Sequence, residues 1–186
     1  SADITKSADE LPQISDPIAG LVYCPGTINL KPIKSLKTED FLYDFEVNLI
    51  GAVKVINKYF NNLKSYGKAS IVLFSTVAVQ TGMPYHSSVA ASKGAVEGLT
   101  RSLAAEFSPG IRVNCIAPSI TNTPLAEKLL NNETKLKASE ERHPLKRIGS
   151  SAEIAQTVEF LLSEKSGFIT GQIIKVDGGI SSVKIF

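Results

Sequence analysis

A chain of 186 residues, with 43% hydrophobic and 20% charged side chains, has the size and mix of one globular domain and not of a disordered chain. Its 20 basic and 18 acidic residues leave a net charge of +2 with no long basic run, which removes the electrostatic case for nucleic acid as a partner. The apolar runs are too short for a membrane span, and two cysteines with two histidines suit neither a disulfide scaffold nor a histidine-rich metal centre.

The first element is an apolar run at 18–23, bounded by Asp16-Pro17 and Cys24-Pro25-Gly26, which predicts a buried strand. Lys37-Thr38-Glu39-Asp40 then opens a helix, with Thr38 as N-cap and acids in the first turn. Phe41, Leu42, Phe45, Leu49, Val53, Ile56 and Phe60 recur at three- and four-residue steps and carry that helix to Tyr66-Gly67. Asn48 has poor helix propensity in its middle and marks a local break or a bound water. Residues 70–75 predict a second buried strand, 87–107 an alanine-rich helix stopped by Pro109-Gly110, and 111–117 a third strand closed by Pro118. A short helix is expected at 124–130, then an irregular charged segment to Arg142. Ser151-Ala152-Glu153 caps a helix running to Leu162, and 172–176 is the last strand, with Asp177-Gly178-Gly179 turning out of it.

Continuous apolar strands alternating with helices predict parallel strands joined by right-handed crossovers and covered on both faces. The expected fold is a three-layer α/β sandwich, as one domain over 1–186.

Several motifs now fall in register. Asp3 stands in Ala-Asp-Ile-Thr, Tyr23-Cys24-Pro25-Gly26 follows the first strand, and Asn48 lies 22 residues beyond Gly26. Thr76, in Phe74-Ser75-Thr76, lies 28 beyond Asn48, and Lys93 sits in Ala-Ala-Ser-Lys-Gly-Ala. Pro118 to Thr123 (PSITNT) and 169–179 (ITGQIIKVDGG) complete the set. In this order the chain resembles the short-chain dehydrogenase/reductase family over essentially its whole length. Its Tyr23-Cys24-Pro25-Gly26 stands where that family has N-N-A-G, and 118–123 resembles its P-G-x-x-x-T cofactor loop.

The resemblance implies a Rossmann-like parallel sheet and a nicotinamide cofactor, NAD or NADP, that exchanges hydride with a small carbonyl or enoyl substrate. It implies catalytic roles for Asn48, Thr76 and Lys93, and cofactor contacts from Asp3, Cys24, Pro25, Gly26, Lys93, Pro118, Ser119, Ile120 and Thr123. It also implies a homodimer or homotetramer, for which Ala90, Ala91, Gly94 and Gly98 would allow close helix approach. A cytoplasmic location, with no membrane and no nucleic-acid partner, is the accompanying expectation. Residues 125–147 should form the substrate lid.

Two departures matter. The family opens with a glycine-rich βαβ unit. No G-x-x-x-G-x-G follows a strand here. A fragment lacking roughly 50 to 60 N-terminal residues is therefore expected, and in that state it is expected to be inactive. Second, the family pattern Y-x-x-x-K puts Val89 at the tyrosine position before Lys93. Valine donates no proton, and losing a general acid costs ~10²- to 10⁴-fold in rate. Tyr85, eight before Lys93, or His86, seven before it, is the replacement that the spacing offers, as in the family's enoyl-reductase branch. Tyr85, Val89 and Lys93 share a face only if the helix extends back to Tyr85.

Plainer readings stand beside these. Lys93 also fits an i,i+4 pair with Glu97, Thr76 also ends a strand, and Tyr85 and His86 also suit a loop. His143 reads as a loop residue, and Cys24 and Cys115 as small buried hydrophobes. A catalytically degenerate binding or partner subunit is the alternative function. A serine hydrolase is excluded by the missing G-x-S-x-G elbow.

Overall fold

A computed structural model describes residues 3–184. Strand β1 (Gly20–Val22) leads to helix α1 (Thr38–Phe45), a π-helical turn (Glu46–Ile50) and helix α2 (Gly51–Tyr66). Strand β2 (Ala69–Phe74), the one-turn α3 (Ala78–Thr81), the long α4 (Ser87–Phe107) and strand β3 (Ile111–Pro118) follow. An excursion then runs through β4 (Thr121–Asn122), α5 (Glu127–Leu130), α6 (Glu133–Arg142) and β5 (Gly149–Ser150). Helix α7 (Ser151–Leu162) and strand β6 (Ile173–Val176) close the fold.

The main sheet is parallel throughout, in the order β1-β2-β3-β6. Leu21 pairs with Ile71, which pairs with Val113, while Phe74 pairs with Ile116 and Ile116 with Ile174. Because side chains alternate along a strand, this register sorts them onto two faces. Leu21, Ile71, Leu73, Val113 and Cys115 pack with Ala52, Ile56 and Leu63 of α2 and with Val96 of α4. Val72 and Ile116 point the other way, onto Leu161 of α7. Helices on both faces make the three layers that the sequence predicts. Burying each large aliphatic side chain contributes about 1.5–3 kcal/mol, so the two clusters supply most of the driving force.

Four local readings need correction. Thr38 is not the N-cap of α1 but its first residue; Lys37 takes the cap position, and its N–H donates to Asp40 Oδ2 at 2.9 Å. Ser150 caps α7, accepting from Glu153 N while the Glu153 carboxylate receives the Ser150 N–H. The charged segment before Arg142 is helical. Asn132 caps it, and only Leu136 and Ser139 of its inner side lose much solvent, so no apolar stripe betrayed it. His143 ends that helix fully buried: Nδ1 lies 2.7 Å from Ser139 O and Nε2 2.9 Å from Ser119 Oγ.

Candidate active site

The loops that follow β1, β2 and β3 leave the sheet at the carboxyl ends of neighbouring parallel strands, where open α/β sheets place their ligand crevices. Lys93, in the second turn of α4, points at this rim. Its Nζ donates to Phe74 O at 2.9 Å, and the side chain is only 6% exposed. Burial lowers its pKa to about 8, the largest effect, and nearby Cys115, Cys24 and Asp44 act in the opposite direction.

Asn48 lies in the π-helical turn, where the sequence places a break. Its Oδ1 accepts from Thr27 N at 3.1 Å, and its Nδ2 donates to Thr27 Oγ1 at 3.0 Å and to Ser92 Oγ at 2.9 Å. That saturates a carboxamide that is 1% exposed. Between Asn48 and Lys93 runs Gly26. A Cβ there would sit 3.4 Å from Asn48 Oδ1 and 3.4 Å from Lys93 Nζ, so a side chain would crowd both polar ends.

Thr76 follows β2 half-buried, and its Oγ1 accepts from Ala78 N at 3.3 Å, starting α3. Ser75 beside it is buried and donates to Glu97 Oε1 at 2.8 Å, while Gln80 Nε2 donates to Glu97 Oε2 at 3.3 Å. The i,i+4 pair of Lys93 with Glu97 therefore does not form: one side chain turns to Phe74 O and the other to Ser75.

Val89, one turn before Lys93, is buried. Helix α4 starts at Ser87, and Tyr85 has a left-handed φ of 68°. Tyr85, Val89 and Lys93 thus do not share one helical face. Tyr85 is 59% exposed and its carbonyl accepts from Lys31 N at 3.1 Å. His86 occupies the N-cap position half-buried, with Nδ1 2.7 Å from Pro84 O.

The loop after β3 is tied on several sides. Pro118 O accepts from Val77 N at 3.2 Å, Ser119 N donates to Val176 O at 3.3 Å, and Ile120 O accepts from Gly149 N at 3.2 Å. Thr123 Oγ1 donates to Thr121 O at 3.4 Å. Asp3 is exposed and bonds to Thr5 instead of the Lys93 cluster. Of the cysteines, Cys115 is buried as expected, but Cys24 is exposed, because it follows β1 and Pro25 leads the chain away from the sheet. Sequence reasoning missed Asp44, Thr27, Ser92 and His143. Only Thr27, next to Gly26, and Ser92, next to Lys93, carried a positional signal.

A family profile described as enoyl-(acyl carrier protein) reductase matches residues 1–181. The chain belongs to the short-chain dehydrogenase/reductase family. It is 39% identical over 162 residues to a tropinone reductase homolog of Arabidopsis thaliana, covering 87% of this chain and 62% of the relative. It is 31% identical over 188 residues to 2-(S)-hydroxypropyl-CoM dehydrogenase 3 of Xanthobacter autotrophicus, covering 98% and 74%. Among solved structures, a gluconate 5-dehydrogenase from Burkholderia cenocepacia in complex with NADP and tartrate superposes with a TM-score of 0.89 at 27% identity, over 98% of this chain and 74% of that one. This family member spans about 60% of the length of the tropinone reductase homologs it matches.

Proposed function

We propose that this chain carries the reaction end of an NAD(P)-dependent oxidoreductase acting on a small carbonyl or enoyl compound. One observation carries the reading: Lys93 is buried at the sheet rim with its ammonium beside Gly26 and Asn48, on neighbouring loops. A lysine kept only for solubility would extend into water.

A nicotinamide cofactor suits this rim. The bare Gly26 backbone leaves room above Lys93, and Cys24, Pro25 and 118–123 flank it on the neighbouring strand ends. Bound there, NAD or NADP would supply the hydride. The chain's own residues would bind, orient and hold protons. Lys93, with a pKa near 8, stays mainly cationic at neutral pH and favours negative charge developing on a substrate oxygen. Thr76 holds that oxygen by its hydroxyl, and Asn48 fixes the Gly26 loop. His86 or Tyr85 would have to move toward Lys93 to deliver a proton in the place of Val89. Asp3, at the chain's start, would contact the adenine. A homodimer or homotetramer in the cytoplasm completes the reading. It is supported by the family and by α4, which leaves Ala91 and Gly98 exposed; among the described residues no helix is long and apolar enough to cross a membrane.

The buried Val89 favours a second reading, a family member that binds without catalysis. Calorimetric titration of NADH and NADPH into protein made from the complete gene separates the two. Saturable binding, followed by turnover of a ketone or enone, supports the reductase; binding without turnover supports the second reading, and absence of binding removes the first.

A further inference from the structure

Between α1 and α4 lie two buried polar atoms without a hydrogen-bond partner, Asp44 Oδ2 and Ser88 Oγ. Asp44 stands one turn before Asn48 and Ser88 one turn before Ser92, and Asn48 Nδ2 bonds Ser92 Oγ across the helix pair. A carboxylate with no exposure at all is costly unless something offsets its charge. No ion pair among the described residues includes it.

Its other oxygen ends a chain of donors. Asn48 Nδ2 donates to Thr27 Oγ1 at 3.0 Å, and Thr27 Oγ1 donates to Asp44 Oδ1 at 2.7 Å. The Thr27 N–H returns to Asn48 Oδ1 at 3.1 Å, closing a ring around the start of the Gly26 loop. Across Gly26 is Lys93 Nζ, whose hydrogen-bond partner is a neutral carbonyl. The titratable groups around Lys93 are few. Burial pushes the Cys115 thiol up to about 12 and raises the Cys24 thiol, so both are uncharged near neutrality. Glu97, on the same helix, is engaged by Ser75 and Gln80. Asp44 remains as the carboxylate whose field reaches Lys93.

We propose that Asp44 is the buried counter-charge of Lys93, a positioning residue that holds the lysine cationic and, through Thr27 and Asn48, fixes the loop carrying Gly26. The proposal rests on the reading above for the purpose of Lys93, but the charge relation is measurable without substrate or cofactor. The chain, labelled with ¹³C-lysine, is titrated by NMR, with Lys93→Arg used to assign the Lys93 signal. Asp44→Asn keeps the shape and the acceptor for Thr27 while removing the charge. It is expected to lower the Lys93 midpoint by about half a unit or more. Asp44→Glu should recover part of that fall, and Ser88→Ala should leave the midpoint unchanged. A Lys93 midpoint equal in wild type and folded Asp44→Asn overturns the proposal. Should Asp44→Asn fail to fold, the wild-type Asp44 carboxyl ¹³C signal decides. A step at the Lys93 midpoint is expected, and its absence overturns the coupling. Failure to bind NADH or NADPH would sink the functional reading and leave this result standing.

Discussion

The sheet with its flanking helices and the excursion from 119 to 150 are stabilised in different ways. In the sheet, Leu63, Ile71, Leu73, Val113 and Ile116 are all but inaccessible and contact one another through several elements at once. In the excursion only Ala126, Ser139 and His143 are buried. The first region is over-determined by apolar contacts. The second depends on one imidazole that joins the end of α6 to Ser119, with Gly178 and Gly179 lying against His143 and Pro144. Both glycines have positive φ, and a Cβ at either would come within 3.3 Å or less of those two residues. A rigid frame can therefore hold Lys93 and Asn48 while a loosely tied segment borders the same rim.

Substitutions can sharpen or break this contrast. Leu73→Ala should cost about 2–5 kcal/mol in urea unfolding, because neighbours from both helices leave a cavity that cannot collapse. His143→Ala comes next, at about 1–3 kcal/mol, since it orphans the Ser119 hydroxyl and a helix-end carbonyl. Its loss should be local, with faster hydrogen exchange across 133–142 and unchanged exchange in β2; equal acceleration in both regions would break the contrast. Ser150→Ala should cost ~1 kcal/mol by removing the cap of α7, read as a lower urea midpoint at constant slope. Smallest is an acid-side effect. Arg147, then the Ser150 N–H and hydroxyl, hold the Glu153 carboxyl down to about 2. An unfolded glutamate titrates near ~4.3, so this stabilisation is complete above that pH and is lost as pH falls toward 2. Glu153→Gln should flatten stability over that window, and an unchanged acid limb would remove the contribution.

Legibility in the sequence follows the same division. Apolar periodicity exposed β1, β2, β3, α2, α4 and α7 within a residue or two, because burial dictates which side chains those elements carry. Asn48 was readable as a helix break since its propensity contradicts its neighbours. The site was only half legible. Gly26, Asn48 and Lys93 are brought together, yet Asp44 looks like any acid on an exposed helix turn and is buried only by packing on α4. Helix α6 was invisible because its polar sequence gives no period, and His143 because one buried imidazole leaves no pattern. Tyr85 failed for a backbone reason: its left-handed φ starts the helix too late for the spacing argument to hold.

The π-helical turn at Glu46–Ile50 has a consequence for phase. It accommodates one residue more than an α-turn, and the Tyr23 hydroxyl donates to the Val47 carbonyl within it at 2.5 Å. Deleting a single residue here would let the helix run on regularly, but would turn everything on one side of the cut by about 100° against the other. The stripe of Ile56, Tyr59 and Leu63 and the Asn48 carboxamide could then no longer face the sheet and the rim together. The turn works as a vernier, setting the angle between a core-packing helix and the residue that presents the site.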